Sequence, residues 1–291
     1  MAAKLREDHL DGEAIPPSRF FFDGCSWGVI YYAGVYDALW KHFAPSSLAK
    51  MHWGGCSSGA FLALAGAMHK DPTDMRKLYH DLAHVASIYG VFGWMSVYHE
   101  MTLLNWLPDG GDEWQRLNGR LFVGITRPVA HFEMVSEWSS NKELRDTMHA
   151  SMHIPYYMTH LATVKGRWAL DGCLSFRQAF RCGAVLDEQT VVVGSDPSFG
   201  YDICPTTALS LAECYTPADL DRLAHLVALG EADGTAWCRG ERRTDKPTRS
   251  RMPLQHRVLC FVLWWLRSVE QHGRWHAFVV LFGWWLWRRR R

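Results

Sequence analysis

The sequence of 291 residues lacks several features that would assign it to a specialised class. None of its eight cysteines forms a CxxC pair or a zinc-type spacing with histidine, so we expect free thiols and no metal. The first residues, MAAKLREDHLDGE, contain no apolar signal-peptide core, which predicts an intracellular protein that is not secreted. No apolar run approaches the roughly 20 residues of a free transmembrane helix. Hydrophobic residues at 48% and charged residues at 21% exclude intrinsic disorder.

The net charge of +1 hides an asymmetry between the two ends of the chain. Residues 239–291 carry a balance of +10 and the rest of the chain −9, so one end is suited to an anionic surface. Two apolar runs, 258–266 and 277–287, and six of the 15 tryptophans lie in this basic region. This composition is atypical of nucleic-acid tails and predicts a monotopic or in-plane lipid anchor, with the arginines at 288–291 reaching for phosphates. Two short helices packed on the body are the alternative.

Changes in composition along the chain predict four segments. We expect an N-terminal extension over 1–16, a folded domain over 17–238, a basic linker over 239–253 and a hydrophobic tail over 254–291. Within the domain, apolar runs typical of strands alternate with helical patterns. This alternation predicts an α/β sandwich whose parallel sheet is covered on both faces.

A pentapeptide typical of a nucleophilic serine lies at residues 55–59, GCSSG. It matches G-x-S-x-G between a predicted strand and a predicted helix, the context in which a strained turn exposes such a serine. Gly55 and Gly59 would avoid clashes with the neighbouring strand and helix. The turn would place Ser57 at a helix N-terminus, where backbone N–H groups favour an oxyanion. A chance match at a helix-capping serine is the alternative.

A glycine-bearing loop, DGCSWG at 23–28, follows the first predicted strand. Its backbone N–H groups could form an oxyanion hole. A phosphate-binding loop is the alternative. We set it aside because the loop has neither the Walker Lys-Ser/Thr ending nor a complete G-x-G-x-x-G.

Asp171 is the predicted general base. It follows a predicted strand at 167–170 and precedes Gly172, so its carboxylate can approach a serine hydroxyl directly. None of the 15 histidines lies in a context that marks it as a partner for Ser57. Asp109 also precedes two glycines, but it follows Leu-Pro in a polar segment, where Asp-Gly is ordinary turn chemistry.

These motifs, in this order, resemble those of the patatin-like phospholipases. Further segments narrow the resemblance to the adiponutrin and adipose triglyceride lipase branch, and the similarity covers roughly residues 19–180. They are GC at 24–25, YYAGV at 31–35, LP at 107–108, GRL at 119–121, ITR at 125–127 and the run from VS at 135–136 through KEL at 142–144 to ASMHIPYY at 150–157. Agreement across many ordered segments is more specific than any single motif.

The resemblance implies a three-layer α/β/α sandwich and a Ser-Asp dyad without histidine, with no metal and no cofactor. It implies these site residues: Ser57 as nucleophile, Asp171 as base, Gly24, Cys25 and Ser26 as the oxyanion loop, and Gly28, Gly55, Gly59 and Gly172 as motif glycines. Two departures stand out. The second and last glycines of the family's loop fall on Ser26 and Val29, and the third residue of its D-G-G motif is Cys173.

We therefore expect an enzyme, a serine hydrolase of glycerolipid acyl esters of the phospholipase A or triacylglycerol lipase type. It would act at a membrane or lipid-droplet surface that it reaches through 254–291, and no nucleic-acid partner is expected. An acyltransferase using the same acyl-enzyme is an alternative. A catalytically silent lipid-surface protein is another.

Overall fold

A computed structural model describes residues 17–241 except 92, 128–130, 155–156, 159–162, 182, 184–185, 188 and 218. The predicted extension at 1–16, the linker beyond residue 241 and the tail at 254–291 lie outside the described residues. The strands are β1 Arg19–Phe22, β2 His52–Cys56, β3 Leu121–Arg127, β4 His131–Val135, β5 Thr163–Val164, β6 Arg167–Trp168, β7 Leu170–Asp171 and β8 Thr190–Val193. The helices are α1 Val29–His42, α2 Pro45–Leu48, α3 Ser58–Ala67, α4 Pro72–Tyr89, α5 Met95–Trp106, α6 Glu113–Leu117, α7 Asn141–Ser151, α8 Cys173–Arg181, α9 Leu211–Tyr215 and α10 Leu220–Cys238.

The central sheet has the strand order β4-β3-β2-β1-β8, with β7 also paired to β3. Strands β3, β2, β1 and β8 run parallel, as the alternation of strands and helices predicts. The edge of the sheet is mixed, because β4 and β7 both run antiparallel to β3. Only three residues separate β3 from β4, too few for the crossover that a parallel pair requires.

Both faces of the sheet are covered by helices, and β1 shows this directly. Alternate side chains of a strand point to opposite faces. Phe22 packs against Tyr32 of α1 on one face, with ring centroids 5.8 Å apart. Phe21 stacks on Phe176 of α8 on the other face, at 4.5 Å. The predicted three-layer α/β/α fold is confirmed.

Helix α1 is buried on nearly all sides because α10 lies across its outer surface. The two helices meet through glycines. A Cβ atom at Gly34 would lie 2.0 Å from the Val227 carbonyl oxygen, and one at Gly230 would lie 1.9 Å from the Tyr31 carbonyl oxygen. Such direct backbone contact excludes any larger residue at either position. Helix α10 therefore forms a covering layer that continues to Cys238.

No helix in the described part of the chain has both the length and the apolar composition needed to cross a bilayer.

Candidate active site

Ser57 lies on a strained turn between β2 and α3. Its φ of 53° and ψ of −135° are a conformation that residues with a side chain rarely adopt. The Ser57 N–H holds the turn by donating to Ser151, with 2.9 Å to Oγ and 3.1 Å to the carbonyl oxygen. This is the strand-turn-helix context that the pentapeptide predicts.

The two glycines of the pentapeptide are required by close packing. A Cβ atom at Gly55 would lie 2.4 Å from the carbonyl group of Gly59, inside the turn itself. A Cβ atom at Gly59 would lie 2.3 Å from the Phe22 carbonyl oxygen. The turn therefore packs against its own helix and against β1 so closely that no residue with a Cβ atom fits at Gly55 or Gly59.

Asp171 lies beside Ser57 because β7 continues the line of β2 along the edge of β3. Strand β2 ends with Cys56 opposite Gly124, and the next residue of β3, Ile125, pairs with Asp171. Gly172 permits this approach, since a Cβ atom there would lie 2.2 Å from the Gly124 carbonyl oxygen.

The Asp171 carboxylate is fully buried. Burial raises its pKa to about 6, although hydrogen bonds from Cys173 and from the Ser57 side chain act in the opposite direction. Oδ1 accepts the Cys173 N–H at 3.0 Å. Oδ2 makes no hydrogen bond of ordinary geometry within the described residues. The carboxylate therefore keeps capacity to accept a proton near neutral pH.

Ser151 connects the Ser57 turn to the segment that carries Asp171, although it belongs to no catalytic motif in the sequence. Its Oγ donates to the Gly124 carbonyl oxygen at 2.6 Å, and its carbonyl oxygen accepts the Gly172 N–H at 3.0 Å. Ser57 also donates to it, as described above. The end of α7 therefore fixes the serine turn against the strand that carries Asp171. The one sequence signal for Ser151 is its place in the family-like run at 150–157.

The predicted oxyanion loop packs directly on the serine turn. A Cβ atom at Gly24 would lie 2.6 Å from the Ser57 Cβ. The Gly24 N–H donates to Asp23 Oδ1 at 2.7 Å, and the Cys25 N–H donates to Ser58 Oγ at 3.2 Å. An oxyanion role for these two N–H groups stays a prediction and requires both to exchange partners.

Ser26 has the left-handed backbone of the loop, with a φ of 49°. A glycine adopts this conformation without steric cost, which explains why the family pattern has one here. No acceptor among the described residues bonds the Ser26 N–H. Gly28, by contrast, has an ordinary helical φ of −60° at the start of α1. Among the N–H groups of Gly24, Cys25 and Ser26, only that of Ser26 has no acceptor within the described residues, and its oxyanion role stays a prediction.

A partly buried ion pair between Asp23 and Arg177 supports the loop, and sequence reasoning missed it. Asp23 Oδ2 accepts from Arg177 Nε at 2.9 Å and from the Tyr201 hydroxyl at 2.7 Å. Arg177 also donates to the Gly24 carbonyl oxygen at 3.2 Å. The Asp23 charge raises the Arg177 pKa above its usual range. Because Arg177 lies on α8, which starts just after Asp171, the pair links the loop to the predicted base.

An apolar cleft, part of it open to solvent, leads to Ser57. Helices α4 and α5 supply one wall, with Tyr79, Leu82, Met95 and Tyr98 among its residues. His99 also lines the cleft, and burial lowers its pKa to about 3, which keeps it uncharged. The arrangement suits a long apolar chain beside a nucleophilic hydroxyl.

Asp109 takes no part in this cleft. It is exposed in its turn and pairs with Arg145. Within the described residues, no group of three or more His, Cys, Asp or Glu side chains has an arrangement that holds a metal ion.

The sequence matches the patatin-like phospholipase family over residues 20–177, more than half of the chain. The chain belongs to this family. The matched segment of this patatin-like protein includes Ser57, Asp171 and Arg177.

Curated relatives of this patatin-like protein include the mouse and human omega-hydroxyceramide transacylases. They are 29% and 28% identical to it over 69% of its length. The chain spans only 34% and 38% of those proteins. Solved structures that resemble it include VipD from Legionella pneumophila, 11% identical, with a TM-score of 0.44 over 80% of this chain and 69% of that one. The type III effector ExoU is 13% identical, with a TM-score of 0.41 over 91% and 61%.

Proposed function

We propose that this patatin-like protein is a serine acyl hydrolase that acts on lipid esters through a Ser57-Asp171 dyad. One observation carries the proposal. A serine on a strained turn lies beside a buried carboxylate with a raised pKa, and both are reached through an apolar cleft. This combination supplies a nucleophile, a base and a site for an acyl chain.

The reaction follows from these positions. Ser57 Oγ attacks the acyl carbonyl carbon while Asp171 accepts the hydroxyl proton. The tetrahedral oxyanion is stabilised by loop N–H groups from Gly24, Cys25 and Ser26, among which only that of Ser26 has no acceptor within the described residues. The proton passes to the leaving alcohol, and an acyl-Ser57 intermediate remains. Water activated by Asp171 then releases the fatty acid. The scheme needs no cofactor.

The proposed substrates are glycerolipid acyl esters. The resemblance to the adiponutrin and adipose triglyceride lipase branch favours phospholipase A or triacylglycerol lipase activity. The basic, tryptophan-rich tail at 254–291 favours action at an intracellular membrane or lipid-droplet surface. Both assignments form part of the proposal.

Acyl transfer is a second candidate, favoured by the curated relatives. Proteins named omega-hydroxyceramide transacylase are 28–29% identical to this chain over 69% of its length. In such a reaction a lipid alcohol replaces water in attacking the acyl-Ser57 intermediate, and the alcohol's proton passes to Asp171. A catalytically silent lipid-binding role is the remaining alternative, motivated by Ser26 and Cys173 in place of family glycines.

Parallel turnover assays distinguish these activities. The wild type, Ser57→Ala and the surface control Ser87→Ala should be given a panel of phospholipids and acylglycerols, with and without a long-chain alcohol. We expect fatty acid release by the wild type and Ser87→Ala alone. New ester formed with the alcohol would favour transfer. Equal turnover by Ser57→Ala would contradict both enzymatic proposals, and no turnover by any protein would favour the silent role.

A further inference from the structure

The solvent-facing side of α5 carries large apolar side chains. Val97, Met101 and Leu104 are 37%, 69% and 39% exposed, and their spacing places them in one row along the helix. Trp94 precedes the N-terminal end of α5 and is 46% exposed. The one charged residue of α5, Glu100, pairs with His149 and Arg145 instead of standing free.

The exposed end of α4 extends this row. Ile88 and Tyr89 are both exposed, and the rings of Tyr89 and Trp94 lie 5.8 Å apart. We call residues 88, 89, 94, 97, 101 and 104 the apolar face. Tyrosine and tryptophan at the edge of such a surface are typical of proteins that enter a lipid-water interface.

The remainder of α4 provides an internal comparison. Its exposed positions are mainly charged or polar, including Asp74, Lys77, His80 and Asp81. That is the usual pattern for a helix with one side in water. Helix α5 lines a groove together with α4 but lacks this charge, so its exposed side is suited to an apolar environment.

The buried side of α5 lines the cleft that leads to Ser57. Met95, Tyr98 and His99 all contribute to that cleft. Tyr98 also borders a groove on the outer surface between α4 and α5, which Met101 lines as well. One helix, about 10 Å across, therefore separates the apolar face from the interior of the cleft.

We infer that the apolar face docks onto the hydrocarbon surface of a lipid layer and holds the cleft against it. The inference rests on the proposed function, because a lipid acyl hydrolase must draw its substrate from such a layer. A lipid is favoured over a protein partner because the uncharged surface and the apolar cleft that leads to Ser57 share one helix. This contact is separate from the predicted tail anchor, because it lies on the folded domain and carries no charged side chain of its own, whereas the tail is basic as well as apolar.

Full-chain variants test the docking surface. Met101→Gln with Leu104→Gln should be compared with the wild type and with Leu220→Gln, which alters a leucine 54% exposed on α10. Flotation with phosphatidylcholine vesicles at high salt suppresses attraction by the basic tail. We expect the double variant to lose roughly tenfold or more in vesicle binding and in hydrolysis of vesicle lipid. Hydrolysis of a soluble short-chain ester should be unchanged in all three proteins.

Vesicle binding by the double variant equal to that of Leu220→Gln would overturn the inference, and a protein partner for the face would then be sought. If the wild type hydrolyses neither ester, the proposed function fails, while flotation still tests docking. If the double variant loses soluble-ester activity, vesicle flotation of the single variant Met101→Gln tests docking instead. Met101 is the most exposed residue of the row, so its substitution disturbs the fold least.

Discussion

At the scale of single residues, Asp171 combines features that a purely structural carboxylate would avoid. It is fully buried, its Oδ2 has no hydrogen bond of ordinary geometry in the described region, and its neighbours include the Ser57 hydroxyl. A buried carboxylate whose pKa is raised lowers the free energy of unfolding when it is ionised. Such a cost is expected where the ionised form is needed for chemistry.

The pH dependence of turnover should report this carboxylate. A general base acts only when ionised, so a pKa of about 6 predicts that kcat/KM falls as the pH drops through that value and is level above about 7. The profile should be measured with a soluble ester whose own charge does not change. A midpoint near 4, the ordinary value for aspartate, would contradict the assigned environment.

Asp171→Asn should abolish turnover and yet stabilise the fold. The pKa is raised from 3.8 to about 6, so ionised Asp171 opposes folding at neutral pH by roughly 3 kcal/mol. The amide removes this cost. Urea unfolding at pH 8 should show a gain of up to about that amount, which shrinks as the pH falls from about 6 towards 4. A variant that is inactive because it is destabilised would contradict the assignment.

At the scale of elements, the site is assembled where four segments end near one another. β2 ends at the serine turn, β7 ends at Asp171 and α7 ends at Ser151. The loop after β1 packs through Gly24 on Ser57 and Cys173. The ion pair between Asp23 and Arg177 ties this loop to α8. The relative position of loop and base therefore depends on a side chain one helical turn beyond Cys173.

Substitution of Arg177 should separate positioning from stability. Arg177→Gln leaves Asp23 buried without its charge partner and should lower the free energy of unfolding by about 3 kcal/mol. Arg177→Lys keeps the charge but cannot bond Asp23 and Gly24 in the same forked geometry. We expect the lysine variant to fold and to lose kcat roughly tenfold with little change in KM, because the loop N–H groups act on the transition state. Wild-type kcat in Arg177→Lys would show that the ion pair has only a structural role.

The sequence predicts the serine turn and the strand that leads to Asp171, because glycine patterns and apolar runs are local signals. It does not assign α5, whose exposed apolar row removes the periodicity that normally marks a surface helix. It also misses Ser151 and Arg177, since their partners are 94 and 154 residues away in the chain. Contacts of that separation leave no local pattern.

At the scale of the whole molecule, the sandwich is covered on both faces by helices within the described residues, and α10 completes one layer up to Cys238. The basic tail follows this last helix. If the tail is a lipid anchor, a chain that ends at Arg251 should stay folded and keep its soluble-ester activity. Its flotation with anionic vesicles and its activity on bilayer lipid should fall, most strongly at low salt. Aggregation of the shortened chain would favour helices packed on the body.

The central claim is that Ser57 forms the acyl-enzyme and Asp171 activates it, and covalent labelling tests this most directly. The wild type should be treated with an alkyl fluorophosphonate and digested, and the modified residue identified by mass spectrometry. We predict a single adduct on Ser57, no adduct in Ser57→Ala, and labelling slowed at least a hundredfold in Asp171→Asn, because the serine then lacks its base. An adduct on another serine, or equal labelling rates in the wild type and Asp171→Asn, would contradict the account.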